Sequence, residues 1–522
     1  MHGTTGDIVE SLVEVCGADA VILDAEERAF YAQDLFDKGS EPAAVVRPRS
    51  TDEMVAVVLK ARAAGVPLFI RGGGMSYTRA FLPTQAGAVL VDSSALDDIH
   101  EINTEDGYVT VGAGCTWKKM DAALAEHGVR TTFWGPFSGA RATVGGSLSQ
   151  GSATFGSGQT GTTAPAILAL EVVTGNGEVL RTGMDSQKGH SPFFRHYGPD
   201  ITGLFTHDSG ALGIKTQVTL ALEERPRACS GVSLAFADFD GMFAAMRDAA
   251  KTGLASEIIG MDAEIAGIQA GERGLLNDLK KLRTIVFGAD SLRRGLASGL
   301  HAVLRGGAAF RDAAYTAHFI ADARSDRLLE AKLLELRAVV SQYGVEIPNA
   351  AIGMIRATPF PDLPLTHTDG RRMLPIHGIF SNSKMVAFRA DYLAYLESQQ
   401  DAMREARVQV VETYAGLGRN GFLYEPVWYW EDSLSLYHER VAPSAMMQNL
   451  PRFPTNMAGR ELVETMKTDI INIMFKHGAA HLQIGRVYPY LRDRDAATTE
   501  LLRAAKAHLD GEAIVNPGTL GL

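Results

Sequence analysis

Cysteine is nearly absent: three thiols, Cys16, Cys115 and Cys229, are scattered over 522 residues. An odd, dispersed set builds neither a disulfide framework nor a thiolate metal site, and reduced, buried thiols are the expected state. The pairs His207-Asp208 and His438-Glu439 are adjacent in sequence, which suits no metal geometry by itself, and no C-x-x-C spacing occurs. No metal is therefore expected. Positive charge is short as well, with 50 Lys+Arg against 61 Asp+Glu and a net charge of −11, which argues against a nucleic-acid partner. No stretch approaches the ~20 apolar residues that span a bilayer, and residues 1–7 lack the basic-then-apolar order of an export leader. The expected location is the cytoplasm, without a membrane span. Internal repeats and low-complexity segments are missing too.

What is present is ordinary in bulk and specific in detail. The length suits two or three domains, and 46% apolar with 21% charged residues is typical of a globular chain. Against that background three glycine-bearing stretches lie close together. The first is Arg71-Gly72-Gly73-Gly74-Met75-Ser76-Tyr77, after the apolar run 66–70. The second is Ala142-Thr143-Val144-Gly145-Gly146-Ser147-Leu148-Ser149. The third follows the apolar run 168–173 as Gly175-Asn176-Gly177 and reads as a strand entering a hairpin. Consecutive backbone N–H groups converge on a pyrophosphate only where no Cβ blocks the approach, so this order suits a dinucleotide. The G-x-G-x-x-G turn of a Rossmann site does not occur here, because Met75-Ser76-Tyr77-Thr78 and a proline loop at Pro83 follow the triplet.

Around these stretches, Ser50-x-x-Glu53 reads as a capping box that opens a helix ending near Gly65, and strands are predicted at 88–91 and 108–111. A helix is expected over 117–127, and residues 167–224 read mostly as strand. After Pro226, strand-then-helix pairs are predicted at 233–236 with 239–251, and at 315–320 with 327–343. A last helix over 460–477 is expected to hand over to a strand at 482–484.

The glycine order, with Ala44-Val45-Val46 upstream, Phe205 to Ile214 downstream and Asn516-Pro517-Gly518 near the end, resembles the FAD-binding domain of the vanillyl-alcohol oxidase / p-cresol methylhydroxylase family. The resemblance is specific over about 40–225 and loose beyond. It implies an α+β fold: a two-lobed FAD-binding domain of the p-cresol methylhydroxylase (PCMH) type over 1–225 and an antiparallel-sheet cap with flanking helices over 226–490. Residues 491–522 would return to the FAD domain. Arg71, Gly72, Gly73, Gly74, Met75, Ser76, Tyr77, Pro136, Thr143, Val144, Gly145, Ser149, Ile214 and Asn516 would hold FAD.

His377, ahead of Phe380-Ser381, looks like the histidine that such enzymes bond to the flavin, so the resemblance implies a histidyl link there. Met75 and Arg141 stand where other flavoproteins of this kind place an attaching histidine and cysteine. Ser149 stands where the alcohol- and alkylphenol-oxidising members place an acid. Read as a strand, 481–490 puts His481 and Gln483 on one face and Arg486 and Tyr488 on the other. His481, Arg486 and Tyr488 are the catalytic candidates, with His481 or Arg486 supplying positive charge to the reduced flavin. The run Tyr424-Glu425-Pro426-Val427-Trp428-Tyr429-Trp430 suggests an aromatic wall, with Tyr424, Trp428 and Trp430 against a planar substrate.

The expected activity is an FAD-dependent oxidoreductase that takes a hydride from a small para-phenol or aromatic alcohol. Electrons would pass to oxygen or to an acceptor protein, and a homodimer fits such a chain. Two rivals stand beside it: a D-2-hydroxy acid dehydrogenase, and a flavin-binding protein without turnover.

Overall fold

The first sheet forms where the sequence is most continuously apolar. Strands Val21–Ile22 (β1), Ala44–Val46 (β2), Leu68–Arg71 (β3) and Val89–Asp92 (β4) pair in the order β1-β2-β4-β3 in a computed structural model that describes residues 5–262, 313–363 and 365–522. β2, β4 and β3 run parallel, and every residue of β2 and β4 is buried, as parallel strands covered on both faces require. Helix Thr51–Ala64 makes the crossover from β2 to β3. It starts where Ser50 Oγ accepts the Glu53 N–H at 3.1 Å and stops at Gly65, whose φ of +65° suits glycine. The Glu53 carboxylate takes the Arg49 N–H at 2.7 Å rather than that of Ser50, so the capping box is half formed.

The second sheet is antiparallel: Ile99–Asn103 (β5), Tyr108–Gly112 (β6), Val129–Thr131 (β7), Ile167–Val173 (β8), Val179–Arg181 (β9) and Ile214–Glu224 (β10). Its order is β5-β6-β10-β8-β9, with β7 pairing the far end of β10. β8 and β9 form the hairpin expected at Gly175-Asn176-Gly177. The chain comes back to the first sheet near its end. Leu68 N–H donates to Ile514 O, Asn516 N–H donates to Leu68 O, and the Asn516 side chain accepts the Ile70 N–H at 2.9 Å.

The third sheet consists of Ala228–Phe236 (β11), Glu257–Asp262 (β12), Tyr315–Ala323 (β13), Val345–Ile347 (β14), Arg372–Pro375 (β15), Gly378–Ser381 (β16), Val408–Leu417 (β17) and Gly421–Trp430 (β18). The order is β14-β11-β13-β12-β17-β18-β15, with β16 also on β18, and every pairing is antiparallel. The part of the expected cap over 263–312 lies outside the described residues. The period-2 alternation sorts the sheet's two faces. Tyr414, Phe422, Tyr424, Trp428 and Trp430 share one core with Phe239, Phe388 and Tyr392 of the helices Phe239–Thr252 and Met385–Ala406. Ile259, Met261, Thr413, Ala415, Leu423 and Glu425 take the other face and look into a cavity.

Helix Ala350–Ala357 and the loop after it tie this sheet to the second one. Arg356 pairs with Asp322 at 3.0 Å and with Glu257, Arg130 pairs with Asp322 at 3.0 Å, and both guanidinium groups lie against Trp134. Phe360 packs against Trp134 and Phe155, and a Cβ on Gly139 would fall 2.4 Å from its ring.

Two sequence expectations are corrected. Residues 481–490 are a series of turns, not a strand, because Gln483 (φ +46°) and Gly485 (φ +54°) lie in the left-handed region. Helix Met457–Lys476 is not the last, since Ala496–Leu509 follows it. Among the described residues no helix is long and apolar enough to cross a membrane.

Phe360 is 5% exposed and joins two sheets, so Phe360→Ala should cost roughly 3–5 kcal/mol. Urea unfolding checks this, with an unchanged midpoint as the contrary result.

Candidate functional site

The loop after β3 makes its closest contact with the stretch before helix Val144–Gln150. A Cβ on Gly73 would lie 1.9 Å from the Arg141 carbonyl oxygen, and one on Gly72 would lie 2.4 Å from Thr143 Oγ1. That hydroxyl is already in use, accepting the Gly146 N–H at 3.2 Å at the start of the helix. Gly145 is equally confined, with Ala113 2.6 Å from its would-be Cβ. The two glycine stretches therefore touch backbone to backbone, which residues with side chains could not do.

These walls open into a cavity of about 870 Å³ that extends beneath the third sheet. Of the residues expected to hold the cofactor, Gly72, Gly73, Gly74, Met75, Ser76, Tyr77, Pro136, Thr143, Gly145, Ser149, Ile214, His377 and Asn516 all line it. Among the described residues nothing accepts a hydrogen bond from the backbone N–H groups of Gly73, Gly74, Met75 or Ser76. Such donors are rarely left unmatched, so this cradle fits the oxygens of a pyrophosphate.

Two of the expected cofactor residues stand behind the wall. Val144 belongs to the core beneath, with its N–H on the Cys115 carbonyl at 2.8 Å. Arg71 is buried against Phe30, Tyr31 and Phe81, and its Nε and one terminal nitrogen have no hydrogen-bond partner. It supplies positive charge next to Gly74 rather than a lining atom.

The expected catalytic segment serves His377 from behind. Tyr488 Oη accepts the His377 N–H at 3.0 Å, and His481 Nδ1 lies 2.8 Å from the His377 carbonyl oxygen while its ring stacks on Tyr488 at 4.0 Å. Burial holds His481 at about 4, so it is neutral near pH 7 and is not the expected cation. Arg486 donates to the carbonyls of Arg79, Leu82 and Pro517 and lies over Phe69. None of Tyr488, His481 and Arg486 lines the cavity. His377 does. Its Nε2 lies 2.8 Å from the Leu482 carbonyl, and burial lowers it to about 3, which leaves a neutral imidazole.

The aromatic wall is also corrected. Tyr424, Trp428 and Trp430 fall on the helix-covered face of β18 and are fully buried in its core. The cavity-facing position between them belongs to Glu425. Its carboxylate accepts from Thr413 Oγ1 at 3.2 Å, and desolvation raises it to about 7. Gln483 and Tyr77 line the same cavity. A carboxylate in mid-run among aromatic residues was the signal in the sequence, and the alternation of the strand turns it toward the cavity.

His477 and His481 are four residues apart, but the helix ends at Lys476 and His477 turns to Asp391 at 2.8 Å. No group that could hold a metal occurs among the described residues.

Residues 42–183 match a family described as an FAD binding domain. The chain is 30% identical over 225 residues to the glycolate oxidase subunit GlcD of Bacillus subtilis (strain 168), covering 42% of this chain and 46% of that protein. It thus spans about half the length of the curated relatives it matches. In structure it is similar to p-cresol methylhydroxylase with substrate bound, with a TM-score of 0.72 at 15% identity over 99% of this chain and 98% of the other. It is also similar to the 4-ethylphenol oxidase of Gulosibacter chungangensis in its isoeugenol complex, with a TM-score of 0.68 at 15% identity, 99% of this chain and 97% of the other. The fold is that of the PCMH-type flavoproteins, and FAD is the cofactor of the domain.

The contacts rank the glycines. Gly73→Ala should purify with little flavin, because the new Cβ must displace the Arg141 carbonyl. Gly146→Ala should keep it, since its Cβ would meet only Thr143 Oγ1 at 3.0 Å. The ratio of flavin absorbance to protein decides, and equal ratios in the two variants would remove the cradle from this position.

Proposed function

We propose that the chain is an FAD-dependent oxidoreductase that removes a hydride from a carbon bearing, or conjugated to, a hydroxyl group in a small, largely apolar substrate. FAD, when bound, supplies the hydride acceptor. The observation that carries the reading is Glu425, a half-buried carboxylate facing the same cavity as the glycine cradle. As the hydride leaves carbon, the substrate hydroxyl must lose its proton, and Glu425 is placed to accept it. This supplies the acid–base group whose place at Ser149 is taken by a hydroxyl. Thr413 holds the carboxylate in orientation. Ile259, Met261, Leu423 and Leu482 around it favour an apolar body, such as a phenol or aromatic alcohol. The glycolate oxidase likeness favours the rival 2-hydroxy acid.

A base must be ionised to act, so substrate-driven flavin bleaching under anaerobic conditions should rise with pH through about 7 and level off above it. Glu425→Gln should lower that rate by roughly 100- to 10,000-fold and flatten the profile. A panel of phenols, aromatic alcohols and hydroxy acids identifies the substrate, and oxygen uptake against dye reduction identifies the acceptor. If no member of the panel bleaches the flavin, the protein is a flavin carrier without turnover.

We further propose that His377 is bonded to the flavin. The supporting feature is a neutral imidazole on the cavity wall whose Nε2 is engaged by Leu482, which leaves Nδ1 as the nitrogen available for a bond. Acid-precipitated protein should stay yellow and should lose its colour in His377→Ala. Quantitative release of FAD from the native protein would refute the bond.

A further inference from the structure

His377 sits where two strands of the cap sheet run on as one. β15 and β16 share a register on β18, with Pro375 opposite Val427 and Gly378 opposite Tyr424, so His377 stands opposite Glu425 on the cavity face. Ile376 N–H donates to Pro426 on β18, so the His377 N–H and C=O point the other way. On that side a single bridge, Ile379 with Ala480, begins a further pairing, and the turns of 481–490 end it. Side chains supply the bonds that the backbone leaves open. The Tyr488 hydroxyl accepts the His377 N–H at 3.0 Å, and His481 Nδ1–H donates to the His377 carbonyl at 2.8 Å. These two rings stack at 4.0 Å, and the Leu482 carbonyl accepts from His377 Nε2–H at 2.8 Å. We infer that His481 and Tyr488 are positioning residues, which with Leu482 clamp His377 so that its Nδ1 meets the flavin at a fixed place beside Glu425.

The clamp is itself fastened to the walls of the cofactor cavity. Gln483 N–H donates to Gln150 O at 2.6 Å, Gly485 N–H to Ser209 Oγ at 3.0 Å and Arg486 N–H to Thr78 O at 3.0 Å. The Arg486 guanidinium holds the carbonyls of Arg79, Leu82 and Pro517. Gln150 and Ser209 line the cavity, so a residue of the cap sheet is placed by the domain that holds FAD. Resting on the reading of His377 as the flavin-bonded residue, this gives the clamp a chemical task. In that bond Nδ1 contributes the electron pair, the flavin carbon it joins gives up one proton, and dioxygen takes the two electrons released. The lone pair is on Nδ1 only while Leu482 keeps the proton on Nε2. The ring is buried and neutral, so no charge orients it and its direction depends on hydrogen bonds. Packing alone needs only the volume of His481 and Tyr488, whereas the clamp needs one donor and one acceptor.

Three variants separate the two. Tyr488→Phe loses the accepting oxygen and keeps the ring. His481→Phe keeps a ring to stack and loses the donor, while His481→Asn restores an N–H at the same number of bonds from Cα. The protein, made in riboflavin-starved cells, is given excess FAD in air, and the flavin that stays with acid-precipitated protein is followed in time. Tyr488→Phe and His481→Phe should bind FAD yet attach it roughly 10- to 100-fold more slowly than wild type, and His481→Asn should recover most of the rate. Nitrogen-15 spectra of histidine-labelled protein read the clamp without any attachment. The His377 signal, assigned by its loss in His377→Ala, should show one Nε2–H tautomer in wild type and His481→Asn, and exchange between tautomers in the two Phe variants. Wild-type rates and spectra in both Phe variants overturn the inference. So does His481→Asn behaving like His481→Phe, which leaves packing as the whole effect. Tyr488→Phe removes one oxygen and no carbon, so it decides if His481→Phe does not fold. Quantitative release of FAD from wild type, with the spectra changing as expected, would instead refute the flavin bond and leave the clamp standing.

Discussion

The contact between Gly73 and the Arg141 carbonyl is the constraint around which the cofactor domain is arranged. β3 must end and its chain must turn within a space that admits no Cβ, so the edge of the parallel sheet meets the N-terminal side of helix Val144–Gln150 directly. Everything nearby serves to hold that approach. Thr143 ties the helix start, Tyr437 donates from across the cap to the Gly74 carbonyl at 2.5 Å, and Asn516 fastens β3 from behind while donating to Gly210 on the far wall. The backbone N–H groups of 73–76 are left facing the cavity because the loop has no room to fold back on itself.

The cap solves a different problem, that of covering a cofactor with a sheet that also needs its own core. Antiparallel alternation divides the labour along single strands. On β18, Phe422, Tyr424, Trp428 and Trp430 bury one face against helices, while Leu423 and Glu425 remain for the cavity. The large aromatic side chains stabilise the sheet rather than touch a substrate. Their bulk fixes the register, and a one-residue slip would move Glu425 into the helix core. The charge on Glu425 thus depends for its position on the tryptophans beside it.

The sequence was most legible where one physical rule acts alone. Glycines with converging amides, the cap at Ser50, the hairpin at 175–177 and the strand–helix pairs after Pro226 all follow from local geometry, and the structure has them close to their expected bounds. It was least legible where tertiary contacts override alternation. Residues 481–490 look like a strand, but Gln150 draws in the Gln483 N–H, Thr78 crowds Gly485 and Arg486 donates to three carbonyls, and together these wind the segment into turns. In the aromatic run the largest residues dominate the sequence, but in a strand the face matters more than the size. Glu425 is anomalous only once burial is known.

Three exceptions to local rules border the cavity. Arg71 is a buried guanidinium with donors unmatched beside the cradle, Gln483 holds a left-handed backbone at the other end, and Glu425 keeps a carboxylate in an apolar wall. Each is destabilising, by roughly 1–3 kcal/mol for an unmatched buried polar group or a strained residue. Other buried charges are matched, as Asp208 is with Lys215. All three features become favourable together if a ligand with a phosphate end and a hydroxyl-bearing partner fills the cavity. Arg71 and the free amides would answer such a phosphate, and Glu425 the hydroxyl that the proposed reaction deprotonates. The part of the fold that carries these costs is therefore the part that lines the cavity.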